Sequence, residues 1–336
     1  MKPILSLRNI AVASLALIMG ATQGLAATPA SRVVQADLSQ ELGAHSSVPL
    51  EVVGAGRAAE GLRADWQGFL DEGGTAGTII DPNPERVSGR MQHSRELMNA
   101  SPLKNLQLHF TEWSSSYTPT DYMHDQYHQA SFILNVVKRA TPYVDSLSYW
   151  TFTDIFEENG PRFTPFHGGF GMMNLQGIKK PSFHAFKFLS RLGDTDVKSN
   201  DTQSWITKSK DGSVQALVWD YSPVVPPKGQ TDQVFYKKEL PTTDKGNLAL
   251  DIANVADGKY RLDIYKIGYK ENDPFTAYVE MGSPNQLTRA QVDYLKSISN
   301  EKPASTEVVS VENGHFKHAM PLRANDCFEF VLTPLN

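Results

Sequence analysis

The stretch Leu106-Gln107-Leu108-His109-Phe110-Thr111-Glu112-Trp113 decides the fold. Leu106, Leu108, Phe110 and Glu112 alternate onto one face, which is the period of a β-strand. A carboxylate closes that otherwise apolar face. Downstream, Asp121 is placed to cap a helix. Tyr127, Ala130, Leu134 and Val137 then recur at steps of three and four, which predicts an amphipathic helix over 122–139. Leu147 to Phe152 reads as a second strand after a turn at Asp145, and its end gathers Trp150, Asp154, Glu157 and Glu158. A loop rich in Gly and Phe follows from Phe163 to Gly171, then a helix over 182–192, opened by Pro181 and stopped by Gly193. Upstream, 91–99 reads as a short helix and 68–90 as a long loop of turn formers.

Strand, helix, strand, helix implies parallel strands with helices packed outside them. In a (β/α)8 barrel, active sites are built at the C-terminal ends of the strands, where both chemically dense clusters fall here. From about 194 the texture changes. Val214 to Trp219, Tyr260 to Tyr265 and Phe328 to Leu332 are short apolar or alternating runs, separated by turns such as Asp211-Gly212 and Asp257-Gly258. They predict an all-β domain of the sandwich kind, interrupted by one helix near 288–298. Residues 27–50 are polar, weakly patterned, and read as an arm. The fold class is therefore α/β plus all-β: the C-terminal part of a TIM barrel, incomplete in this chain, followed by a β-sandwich domain.

The 336 residues are 40% hydrophobic and 21% charged, which excludes a mainly disordered chain. A net charge of -5 and a pI near 6.0 give no basic face for nucleic acid. The single cysteine, Cys327, excludes an internal disulfide framework and a cysteine metal site, and reads as a small buried hydrophobe. Residues 1–26 read as a signal peptide: Lys2 and Arg8, a short apolar run from Ile10 to Met19, then Gly24-Leu25-Ala26. A periplasmic or secreted protein is expected, with no membrane association once the signal is cleaved. Gly54 and Gly56 lack the third glycine or lysine of a phosphate loop. His124 and His128, spaced i and i+4, read as helix-surface residues rather than a metal pair, since no third ligand is evident. Met172 and Met173 read as packing residues, and Ser114 to Ser116 lack a nucleophile-elbow context. Neither a metal nor a cofactor is expected.

Chemistry concentrates in two motifs. Phe110-Thr111-Glu112-Trp113-Ser114-Ser115-Ser116-Tyr117 places a glutamate beside aromatics, as a sugar site does; a carboxylate there can attack an anomeric carbon. A buried structural glutamate is the competing reading. Tyr149-Trp150-Thr151-Phe152-Thr153-Asp154-Ile155-Phe156-Glu157-Glu158 carries three carboxylates near a tryptophan, suited to sugar hydroxyls or to a solvated acidic loop.

These motifs, together with Phe163-Thr164-Pro165-Phe166-His167-Gly168-Gly169-Phe170-Gly171, closely resemble glycoside hydrolase family thirty-nine, the family of β-xylosidases and α-L-iduronidases. The resemblance runs from about Gly68 to Gly193 and extends to Gly268-Tyr269, Asn272-Asp273-Pro274 and Leu287-Thr288. Gly54 to Trp66 resembles the family's N-terminal stretch. The resemblance implies a retaining glycosidase with a barrel and a β-sandwich, acting on oligosaccharides or xylosides. By it, Glu112 matches the nucleophile. Trp150, Glu157 and Glu158 match the glycone region, Asp154 and His167 fall in the same subsite, and Tyr117 shapes the pocket.

The family's acid/base lies in an Asn-Glu-Pro motif, and this sequence contains none. The barrel-like stretch, 68–193, holds about 125 residues where eight βα units take about 250. An internal deletion near Gln67/Gly68 is the expected cause, with impaired activity as its consequence. The expected organisation is a signal peptide over 1–26, an arm and barrel start over 27–67, a truncated barrel over 68–193 and a β-sandwich over 194–336. Two other readings stay open: a non-catalytic carbohydrate-binding protein, and a truncated inactive gene product.

Overall fold

The computed structural model describes residues 31–48, 83–116, 118, 120–155 and 162–335. The expected signal peptide, residues 68–82 of the expected loop and the inferred junction at Gln67/Gly68 lie outside the described residues, while 85–90 of that loop are helix.

The α/β part begins with α1 (Glu85–Asn99), longer at its start than the expected 91–99. It continues through β2 (His109–Trp113), a single 3₁₀ turn (Tyr122–His124), α2 (His128–Ala140), β3 (Ser146–Tyr149) and α3 (Pro181–Leu189). The strand β1 (Arg32–Ala44) precedes all of these. β2 and β3 pair in parallel, with Phe110 opposite Leu147 and Trp113 opposite Tyr149. That direction follows from the helix between them, which carries the chain back to the start of the pair. Asp145 fixes the register at that start: its amide donates to Leu108 O at 2.8 Å, and its Oδ2 accepts from Leu108 N at 2.8 Å. Arg95 of α1 closes the corner on the same oxygen at 2.6 Å. The strand starts later than its pattern implied, and Leu106 lies exposed before it.

The predicted helix over 122–139 divides into the 3₁₀ turn and α2. Asp121 caps the turn as expected, Oδ1 accepting from Met123 N at 2.9 Å. Ala130, Leu134 and Val137 are buried, and so are Phe132, Ile133 and Val136. The helix is enclosed on nearly all sides. Pro181 sits in the first turn of α3, as predicted. Gly193 does not stop that helix, which ends at Leu189. Its hydrogen faces the Lys208 backbone, where a Cβ would lie 2.7 Å from a carbonyl carbon.

The remaining strands are β4 (Thr195–Ser199), β5 (Ser204–Lys208), β6 (Val214–Trp219), β7 (Asp244–Ala253), β8 (Gly258–Ile267), β9 (Ser305–Val311), β10 (His315–Arg323) and β11 (Cys327–Pro334). Helices α4 (Asp232–Phe235), α5 (Pro274–Glu280) and α6 (Arg289–Ile298) interrupt them. All join β1 in a single sheet of order β10-β7-β1-β4-β5-β6-β11-β8-β9. This changes two expectations. The supposed arm is an internal strand, parallel to β7 and antiparallel to β4, with Val34, Ala36 and Leu38 turned inward. Its alternation is only three apolar residues long, too short to stand out against polar neighbours. The sandwich is replaced by one rolled sheet. Its edge strands, β9 and β10, are consecutive, joined through Asn313 and Gly314 at φ 57° and 71°. The two edges therefore meet at one end, and one face, including Ile206, Val218, Ile252, Leu262, Phe316 and Phe330, encloses a single core.

The outer face of the roll carries the α/β part. Trp205, Leu217, Trp219, Ile267 and Cys327 share a core with Trp113, Val137 and Phe188. β6 is buried on both faces, which accounts for an apolar run interrupted only by Gln215. Cys327 is the small buried hydrophobe expected. The predicted helix near 288–298 is α6, opened by a capping box between Thr288 and Gln291. Thr288→Ala removes the acceptor for Gln291 N, and urea unfolding should show a loss of about 1 kcal/mol.

Candidate active site

β2 and β3 end side by side. Trp150 N donates to Trp113 O at 2.9 Å, and Trp113 meets Tyr149 edge-on at 5.3 Å. The register places Glu112 and Trp150 at adjacent C-terminal strand ends. Glu112 is half-buried with Oε1 enclosed, and Trp150 is buried. Phe110 and Glu112 are both half-buried, with an irregularity in the pairing between Phe110 and Trp113. Tyr117, Glu157 and Glu158 lie outside the described residues.

Beyond Trp150 the chain is held by a returning loop. Thr151 N donates to Phe170 O at 3.1 Å, Met172 N to Thr151 O at 2.9 Å, and Asp154 N to Met173 O at 2.9 Å. Met172 is buried in the core, as read from sequence. His167 is buried on this loop, Nδ1 lying 3.2 Å from Thr164 O.

A charge cluster underneath fixes the loop. Lys180 Nζ is wholly buried, 2.6 Å from Asp125 Oδ1, 2.8 Å from Asp154 Oδ2 and 3.0 Å from Gly169 O. Asp154 Oδ1 accepts from Gly171 N and Asp125 Oδ2 from Gly168 N, both at 2.7 Å. Asp154 is thus corrected. It was expected to meet sugar hydroxyls, but both of its oxygens are spent on Lys180 and Gly171, and it has no exposed surface. Burial raises its pKa, against the pull of Lys180. At Gly171 an added Cβ would fall 2.2 Å from Asp154 N, so the close approach needs glycine.

The two histidines are corrected as well. Neither is on a helix surface. His124 lies in the 3₁₀ turn and is wholly buried, and His128 opens α2 against Tyr127 and Tyr236, each ring 5.4 Å away. Burial lowers the His128 pKa to about 3. Sequence reading missed Lys180, Asp125 and His124 as members of the site's support. Lys180 precedes a helix-opening proline and looks like an ordinary surface base, so nothing local marks its burial. Among the described residues, no group of three or more His, Cys, Asp or Glu is placed to hold a metal. No helix among them is long and apolar enough to cross a membrane.

A carboxylate and aromatics at the ends of parallel strands, docked on a large mixed sheet, define a class: a barrel-type catalytic domain with an attached sheet domain. Comparison with known proteins gives the family. Glycosyl hydrolases family 39 matches residues 75–315. A β-xylosidase of Geobacillus stearothermophilus is 42% identical over 137 residues, 41% of this chain and 27% of its own length. The GH39 enzyme of Xanthomonas axonopodis pv. citri superposes with a TM-score of 0.73 at 40% identity, over 80% of this chain and 53% of its own. A monomeric β-xylosidase of Caulobacter crescentus superposes at 0.74 with 36% identity, over 78% of this chain and 52% of its own. The chain belongs to glycosyl hydrolases family 39. It spans about half the length of these solved relatives.

Proposed function

We propose that the chain carries the nucleophile half of a retaining glycosidase site for xylosides, on an incomplete barrel whose acid/base half is missing. The observation that carries the reading is the position of Glu112, at the C-terminal end of β2 beside Trp150. Support also comes from the β-xylosidase relatives and from the lack of any Asn-Glu-Pro motif.

A retaining mechanism needs two carboxyl groups about 5–5.5 Å apart, one attacking the anomeric carbon and one protonating the leaving oxygen. Asp154 cannot take the second part, because Lys180 and Gly171 occupy it. Without an acid, substrates with poor leaving groups lose about 10²–10⁴-fold in rate. Missing barrel walls remove orientation and water exclusion as well. Substrates with acidic leaving groups depart without a proton and depend on Glu112 alone. Export to the periplasm or medium, from the leader-like residues 1–26, forms part of this proposal.

The test is intact mass after exposure to a 2-fluoro-xyloside carrying a dinitrophenolate leaving group. One glycosyl adduct is expected, mapping to Glu112 and absent in Glu112→Ala. No adduct on folded protein would overturn the reading. Xyloside binding that survives Glu112→Ala without turnover would instead support a carbohydrate-binding protein built on Trp150.

A further inference from the structure

His124 has an arrangement that the proposed chemistry leaves unexplained. Its Nδ1 lies 2.9 Å from Gly168 O, and its Nε2 lies 3.2 Å from Ser116 O. Both partners are backbone carbonyls, which only accept. A neutral imidazole has one N–H and one lone pair, so it serves one of these carbonyls and turns a lone pair toward the other. Only the doubly protonated ring donates to both.

The two carbonyls belong to different loops. Ser116 lies on the segment leaving β2, four residues beyond Glu112. Gly168 follows His167 on the loop that returns beside Trp150. Gly168 is held on both sides of its peptide plane: its N–H goes to Asp125 and its carbonyl meets His124. It also has φ 74°, and an added Cβ would fall 2.6 Å from the backbone of Thr120 and Asp121. The approach of the two loops is therefore close, and His124 is the side chain that spans them. The ring of Phe170 covers it at 4.9 Å.

We propose that His124 is a positioning residue that clasps the Glu112 loop to the His167 loop, and that the clasp is complete only in the imidazolium form. The functional half of this proposal rests on Glu112 being the nucleophile. The charged groups around the ring come from every element packed on it. Asp121 and Asp125 flank it on its own turn, and Lys180 and Asp154 close the cluster behind it, near His167 on the returning loop. Asp125, Asp154 and Lys180 together carry one excess negative charge, which an imidazolium neutralises. Burial opposes this and, with Lys180, brings the His124 pKa below the usual histidine range, while the two carbonyls and Asp125 act the other way. The clasp therefore closes as pH falls through that lowered value and opens one contact above it.

The experiment follows the full chain, labelled with ¹⁵N and ¹³C, across a pH series. The His124 ring nitrogens should both carry hydrogen at the acid end, and one should lose it as pH rises. The carbonyl carbons of Ser116 and Gly168 should shift with the same midpoint. A ring nitrogen that stays bare throughout the stable range, or carbonyls that do not follow the ring, overturns the clasp. In parallel, the rate of adduct formation at Glu112 should drop about tenfold or more across that midpoint. His124→Gln should lose this limb of the profile. A rate indifferent to the His124 midpoint overturns the positioning role, and the parent protein alone decides this if His124→Gln does not fold. If the carbonyls follow the ring but no adduct forms at any pH, the clasp stands and the nucleophile reading fails.

Discussion

Lys180→Met unfolds about 3–5 kcal/mol more readily than the parent at pH 7, the cost of leaving a buried charge uncompensated. Methionine fills the volume of the lysine stem but supplies no charge and no donor. Asp125 and Asp154 then face each other with no exposed surface, and Gly169 O loses its partner. Each carboxylate keeps one glycine amide, which is far from enough to hold an ion in that medium. The loss should shrink in acid, where the Asp154 carboxyl, raised by burial, takes up a proton. The triple change Asp125→Asn, Asp154→Asn, Lys180→Met removes all three charges. It leaves amide oxygens to accept from Gly168 and Gly171, and should recover most of the stability. Urea unfolding followed by circular dichroism measures all of this. A loss under about 1 kcal/mol in the single variant would show that the cluster is not closed as described. The buried cluster is also an expensive way to gain stability, because a well-packed apolar replacement often does as well. What it supplies here is geometry. Three charges fix the Gly168–Gly171 end of the loop that carries His167 and flanks Trp150.

Local periodicity and turn chemistry were legible in the sequence. β6, α2, α6 and the turns at Gly212 and Gly258 follow from spacing that depends on near neighbours alone. The placement of Glu112 and Trp150 at adjacent strand ends was legible for the same reason, since the strand–helix–strand order dictates a parallel pair. What could not be read was long-range. β1 joins strands more than 150 residues away, between Ser199 and Leu248, and its three inward residues gain meaning only once those neighbours exist. The roll of the sheet depends on which edges meet, and alternation is the same in a roll and in a sandwich. The fates of Asp154, Lys180 and His124 are of this kind too. A carboxylate after a tryptophan resembles a sugar ligand until a lysine 26 positions later is found buried against it.

Glu329→Gln should gain stability relative to the parent as pH rises from about 4.5 to about 8. Glu329 lies on β11, buried at the junction of the sheet with the end of α3. Burial raises its carboxyl to about 8, although Arg191 Nη1 donates to it at 2.9 Å and Lys187 adds a weaker pull. Arg191 is itself partly committed elsewhere, its guanidinium resting 3.8 Å over the Tyr265 ring and Nη2 reaching Glu301 O at 3.4 Å. Between the unfolded value of 4.5 and about 8, the native state holds a proton that the unfolded chain has released. The native state therefore binds more protons, and the free energy of unfolding declines with pH across that window and levels off above it. The full displacement corresponds to a loss on the order of 5 kcal/mol, of which local relaxation takes a share. Asp121 and Asp273, both raised to about 6 by burial, act in the same sense below pH 6. The buried histidines act oppositely. His128 and His184 are lowered to about 3, so their contribution is present above pH 6.5 and is lost as pH falls toward 3. The parent curve sums these limbs, but the difference between Glu329→Gln and the parent isolates one of them. That difference should be small near pH 4.5 and grow in favour of the variant up to about pH 8. A difference that stays flat between those values would mean that Glu329 is ionised throughout, with Arg191 outweighing its burial.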